Sequence, residues 1–396
     1  QKALFIWLGL FVGLLSWINQ LVNKIMDAYG LSVRGELSIV KQRLIGITIL
    51  GILYISGNLN LEIFFLYNFI ILLILLYLWR KILKDNGLEL IPRKRLSVKL
   101  IKSYSQEFYK FSQPLFIGGL VVFIFGYADR WLLQLYGGAN QQGLFSLSLK
   151  VGALCYLITG SMVPLFQREI SKAYGEKNLD GMRIIFERFV PMFFSLSVSI
   201  GVFFFFQAEN VSMLLGGVEY SGAAIPVSIM SLYPIHQTYG QLNSSVFFAL
   251  GRTKIYRNIA VITTIFGIIL TFILLAPRSM NGLDMGSTGL AIKMVFVQLV
   301  GQNILLWFNT KFFKISFGTM FIHQIKSIII IGSAAAFASY LSSFFFAGII
   351  TSFIIAGLVY LIALTIILYY VPSLFSTSRD EVNRNLQALI KKLLNR

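Results

Sequence analysis

"FGYADRWLLQLYGG", residues 125–138, is the stretch on which the fold turns. Asp129 and Arg130 stand side by side in an apolar run that begins near Phe108 and ends at Gly137 and Gly138. In a soluble helix two such charges would be ordinary. In a membrane helix each costs roughly 2.5–3.5 kcal/mol at the bilayer centre, so each needs a partner or water.

Composition decides between these settings. The chain has 396 residues, 57% of them hydrophobic and only 13% charged, and its mean hydropathy is +0.76. A soluble domain cannot bury that much apolar surface. Apolar runs of about 20 residues recur from end to end, which makes this a polytopic membrane protein and not a secreted chain with one leader. The net charge of +18 follows from Lys and Arg gathered in alternate loops, so nucleic acid is not an expected partner. Cys155 is the single cysteine, and His236 and His323 are the only histidines. A disulfide within the chain is excluded and a metal site is not expected.

Eleven spans are expected: 3–23, 37–56, 61–79, 108–136, 143–166, 185–207, 222–249, 255–276, 287–310, 325–346 and 349–370. Basic loops (Arg80 to Lys102, Arg168 to Arg188, Arg252 to Arg257) alternate with loops almost free of Lys and Arg, such as "SGNLNLE". This places the basic set in the cytoplasm and the C-terminus with it. The first span then runs from outside to inside, which implies an odd number of helices ahead of Gln1.

Two outside-to-inside helices end alike. "QLVNKIMDAYG" (Gln20–Gly30) and "QLNSSVFFALG" (Gln241–Gly251) share Gln-Leu, six intervening residues, then Ala-x-Gly. Repeats of one orientation predict two helical lobes related by an axis along the membrane normal, facing a cavity. Each copy carries a polar stripe at helical spacing: Ser16, Gln20, Asn23 and Asp27 on the first span, and Tyr233, Gln237, Gln241 and Ser244 on the seventh. Gln298 and Gln302 make a third stripe on the ninth span, with Lys293 nearer the outside. An amide facing lipid costs several kcal/mol, so each stripe faces a helix or water.

The fourth and fifth spans form an outer hairpin turning at "GGANQQG". Asp129 lies about ten residues before its centre and Lys150 about ten after, at similar depth. Asp129 is therefore expected to answer Lys150, Arg130 or both. Two readings of the group stand side by side: a salt bridge that orients helices, with Arg130 snorkelling beside Trp131, or a basic cavity wall that meets an anion.

These residues resemble a known family. Asp129, "YGGANQQGLFSLSLKV", "SMVPLFQREISKAYGEKN", "FFALGRTKIYRNIA" and "GSTGLAIKM" occur in order over 108–310. Together they are similar to the second half of a polysaccharide (O-antigen type) flippase of the multidrug/oligosaccharidyl-lipid/polysaccharide exporter superfamily. The resemblance departs at Phe145, where the family usually has Tyr. It implies helices four to fourteen of a fourteen-helix, two-lobed, all-α integral membrane transporter. The N-terminal lobe would end over 1–83, and a basic cytoplasmic linker would occupy 84–107. The second lobe would cover 108–310, with two added helices over 325–370.

The resemblance further implies a polyisoprenyl-pyrophosphate-linked oligosaccharide carried from inner to outer leaflet of a bacterial inner membrane. Lys150 and Arg130, then Lys293, are the implied contacts to the pyrophosphate or to acidic sugars. Membrane lipids and other polysaccharide-assembly proteins would be partners. Drug antiporters and the peptidoglycan-precursor flippase share the architecture, so fold alone does not choose the cargo.

A membrane polymerase or glycosyltransferase would need a large aqueous loop carrying acids or bases, and none is present. No enzyme, organic cofactor or ATP-binding loop is expected; Asp27, Asp129 and Glu169 are candidate H+ or Na+ carriers. Over 376–396, Ser378 and Glu381 form a capping box. Val382, Leu386, Leu389, Ile390 and Leu393 mark an apolar face, with Arg384, Lys391 and Lys392 near the other, as in a helix lying on anionic lipid.

Overall fold

The computed structural model describes residues 2–88, 97–345, 348–384 and 387. Among these there is no β-strand. The chain divides into two compact units, Gln1–Tyr104 and Ser105–Arg396. Nine of the described helices are long and apolar enough to cross a membrane. The protein is an all-α, multi-pass membrane protein.

The first unit holds α1 (Lys2–Ala28), α2 (Ser32–Ile55) and α3 (Leu61–Asp85). Asn60 starts α3 by accepting the Ile63 N–H at 2.9 Å, which satisfies one of the donors left open at a helix start. Val22 and Met26 of α1 pack on Leu75, Trp79 and Leu83 of α3. The Trp79 indole N–H donates to the Gly35 carbonyl of α2 at 3.3 Å, tying all three helices together. The fourth helix, α4 (Val98–Gly160), begins at the end of this unit and continues into the second.

α4 spans 63 residues, too many for one crossing, and breaks at Gly138, where φ is 69°. That left-handed conformation is open to glycine at little cost. The chain reverses there. The Gln142 side-chain amide donates to the Arg130 carbonyl, and the Arg130 guanidinium lies 5.2 Å from the Phe145 ring centre. In an unbroken helix those partners would be roughly 18 Å or more apart. The expected loop "GGANQQG" is thus no loop; the reversal is compressed into one residue. Gln141 is used instead to cap the next layer, its Oε1 accepting the Ser287 N–H at 2.8 Å and the Ser287 hydroxyl at 2.7 Å.

The second unit continues with α5 (Val163–Gly175), α6 (Leu179–Phe206), α7 (Ala208–Gly216), α8 (Ala224–Ser231), α9 (Tyr233–Ala249), α10 (Thr253–Leu275), α11 (Gly286–Phe313), α12 (Phe317–Phe345) and α13 (Ile349–Tyr370). The expected span 143–166 stops at Gly160, and Pro164 opens α5 as a separate amphipathic helix. The expected span 222–249 is two helices, because Pro234 lacks the N–H that would carry one helix through Leu232. With α4 counted as two arms and α8–α9 as one unit, the described helices fall on the eleven expected spans in order.

The second unit's core is the seam of α6, α9 and α12, where Phe186, Phe194 and Val198 meet Tyr239, Leu242 and Ile331. Polar side chains tie α8 and α11 to this core, as membrane packing favours. Ser231 donates to the Gly201 carbonyl at 3.0 Å, and Asn309 donates to the Asn243 side-chain oxygen at 2.9 Å.

Beyond α13, Leu374 is buried and its carbonyl accepts the Ser195 hydroxyl at 2.5 Å. The Ser378 hydroxyl accepts the Glu381 N–H at 3.2 Å, half of the expected capping box. Glu381 itself turns to Thr377 at 2.8 Å and to Arg188 of α6 at 2.9 Å. The Thr377 hydrogen bond, then the Arg188 charge, hold its carboxyl below the usual glutamate range. The expected apolar face at Leu386, Leu389, Ile390 and Leu393, the cations Lys391 and Lys392, and part of the basic linker (89–96) lie outside the described residues.

Candidate functional site: an amide-lined cavity in the second unit

A cavity of about 420 Å3 opens inside the second unit between the first arm of α4, α9, α10 and α11. Helical spacing builds its walls. Gln237, Gly240, Gln241 and Ser244 share one face of α9, and Gln298, Gly301 and Gln302 share one face of α11. Tyr233, Tyr256, Thr263 and Thr264 add hydroxyl groups.

Glycine makes the room at two points. A Cβ at Gly240 would overlap the Gln302 side-chain amide. A Cβ at Gly267 would stand 3.0 Å from Cε of Lys293, whose stem crosses that glycine. Lys293 and Asp129 form an ion pair with their side chains only 11% and 13% exposed. The second carboxylate oxygen of Asp129 accepts the Thr271 hydroxyl at 2.6 Å. Three helices therefore meet at one carboxylate, and the wall carries no net charge from this pair.

The amides are less committed. The Tyr156 hydroxyl donates to Oε1 of Gln241. Oε1 of Gln302 is buried without a hydrogen-bond partner among the described residues. Gln237 and Gln298 face the cavity with no side-chain hydrogen bond among the described residues. These are spare donors and acceptors held at the edge of a polar space.

The structure thus brings together Asp129, Lys293, Gln237, Gln241, Gln298 and Gln302. The expected pairing of Asp129 with Lys150 or Arg130 is corrected: its partners are Lys293 and Thr271. The reversal at Gly138 puts Asp129 nine and Lys150 twelve residues from the turn, so their depths differ. Lys150 is exposed on another face of α4, against Leu154 and Leu215. Arg130, also exposed, rests over Phe145.

Gln20 and Asn23 belong to the first unit; Gln20 is exposed and Asn23 is half-buried. The buried amide of α1 is Asn19, which donates to the Leu72 carbonyl of α3 at 3.2 Å. Asp27 meets Lys24 at 3.5 Å, and Glu169 meets Arg168 at 3.6 Å.

Thr271, Tyr156 and the α10 wall escaped the sequence reading. A signal was present. Tyr256, Thr263, Thr264 and Thr271 recur at seven or eight residues, one face of a helix.

No protein-family model matches this sequence, and comparison with curated proteins returns no match. Solved structures do match. One is a multidrug resistance MATE family transporter of the MOP superfamily in an outward-facing conformation, at TM-score 0.61 and 16% identity over 75% of this chain. Another is a MOP superfamily transporter from Pyrococcus furiosus, described as having a binding pocket of reverse polarity, at TM-score 0.62 and 16% identity over 75% of this chain. This chain has the fold of these transporters. It spans 66% of the length of each.

Proposed function

We propose that this protein carries a lipid-linked oligosaccharide from the inner to the outer leaflet of a bacterial inner membrane, its C-terminus in the cytoplasm, by alternating access. One observation carries the reading: four glutamine amides and a set of hydroxyls surround an ion pair that already neutralises itself. An amide offers a donor and an acceptor side by side, which suits neighbouring sugar hydroxyls. A site of unpaired polar groups also rejects a ligand that lacks them. Lys293 is the cation placed to meet an acidic sugar or a phosphate, by leaving Asp129. The same step would free Asp129 to take a proton.

The MATE-type antiporter reading is favoured by the solved structures it resembles and by the cavity volume, which is drug-sized. Expression in cells lacking their own oligosaccharide-lipid flippase separates the two. The protein should restore surface polysaccharide, and the double variant Gln237→Leu, Gln298→Leu should lower it at least tenfold at equal protein level. A protein that extrudes cationic dyes and restores no polysaccharide would establish the antiporter instead.

A further inference from the structure

The second arm of α4 carries a cation that the cavity does not use. Lys150, Leu154 and Leu157 recur at four and three residues and form one exposed stripe along the arm, with the buried Leu147 closing its end. Leu215 of α7 stands across from it, and together they outline a groove of about 450 Å3. Among the described residues no acidic side chain lines this groove. Lys150 is exposed and has no ion-pair or hydrogen-bond partner among the described residues.

The depth of Lys150 makes this unusual. It lies twelve residues after the Gly138 reversal and ten before the end of the arm at Gly160. At the rise of an α-helix these are about 18 Å and about 15 Å, near the middle of a hydrocarbon core about 30 Å thick. Snorkelling shortens the distance to the head groups without closing it. A charged residue so placed draws phosphate and water inward and thins the bilayer around it.

We propose that this groove seats one anionic phospholipid of the surrounding bilayer, its phosphate on Lys150 and one acyl chain along the leucine stripe. Charge complementarity selects an anion, since among the described residues the groove holds one cation and no acid. The leucines select a ligand with a chain, since free phosphate would leave them empty. The site is separate from the cavity and does not depend on what the cavity carries.

The test uses the full chain purified in mild detergent and exposed to mixed phosphatidylglycerol and phosphatidylcholine, with retained lipid read by native mass spectrometry. Wild type should retain phosphatidylglycerol preferentially. Lys150→Leu, which extends the stripe and keeps the fold, should lose about fivefold of that retention, the worth of one lysine toward an anionic lipid. Lys150→Arg should keep it. Equal retention by wild type and Lys150→Leu, at matched melting temperature, overturns the proposal. Preference for an added polyisoprenyl phosphate over phosphatidylglycerol also overturns it and gives the groove to a carrier lipid.

Discussion

α1 and α9 end on the same eleven-residue pattern and meet different fates. Their terminations are alike. Gly30 and Gly251 both take positive φ, 73° and 66°. The following residue bonds back over five positions in each, Leu31 to Met26 and Arg252 to Phe247, both at 2.8 Å. This is the Schellman closure that a glycine after the last turn permits. The polar stripes above the caps diverge. On α9 the glutamines face a cavity, because α4, α10 and α11 stand around it. On α1 the buried amide is Asn19, bonded to α3, while Gln20 is exposed. A local motif specifies how a helix ends; its neighbours specify what its side chains meet.

The largest expected effect breaks the comparison at its ion pairs. Lys293→Met leaves the Asp129 carboxylate in the cavity wall with Thr271 alone and should cost roughly 3 kcal/mol, as removal of one partner from a buried pair does. Lys24→Met, at the α1 pair whose lysine is 71% exposed although its Asp27 is only 15% exposed, should cost less than about 1 kcal/mol, because that lysine keeps its water. Thermal melting in detergent compares them, and the double variant Asp129→Asn, Lys293→Met should recover most of the loss. Similar costs at both sites would erase the distinction.

The caps sharpen the comparison from the other side. Gly30→Ala and Gly251→Ala should each lose about 1 kcal/mol, because both force a Cβ into the left-handed region. Unequal losses would show that the shared pattern is not a shared closure. Asn19→Leu should cost about 1 kcal/mol, the worth of its hydrogen bond to α3, and leave transport intact. Gln237→Leu should do the reverse, sparing stability and impairing transport.

The smallest effect concerns the docked segment after α13. Glu381 has a lowered folded pKa, so its contribution is present above the usual glutamate range and is lost as pH falls through the lowered value. A spin label at position 384 should stay immobile at neutral pH and gain mobility only in acid. Glu381→Gln should remove that pH step. Mobility rising already near neutrality would mean that the contact with Arg188 does not hold the segment.

The crossings were legible because hydrocarbon imposes one rule on every residue of a span. The lining of the cavity was legible in part. Gln237, Gln241, Gln298 and Gln302 announced themselves as amides out of place in apolar helices. The partner of Asp129 did not, because residue count across a hairpin fixes depth only when the turn's centre is known, and here the chain reverses at the single residue Gly138. Thr271 hid in plain composition, since threonine is unremarkable in a membrane helix until a carboxylate is found beside it.

What the sequence determined by itself was the class of solvent, the number of crossings and the glycine closures, all of which follow from properties of one residue and its near neighbours along the chain. Tertiary structure alone decided that Lys293 and Thr271, not Lys150, answer Asp129, and that the amides of α9 and α11 share one cavity. Those outcomes depend on the rotation and depth of helices distant in sequence, and packing between helices sets both.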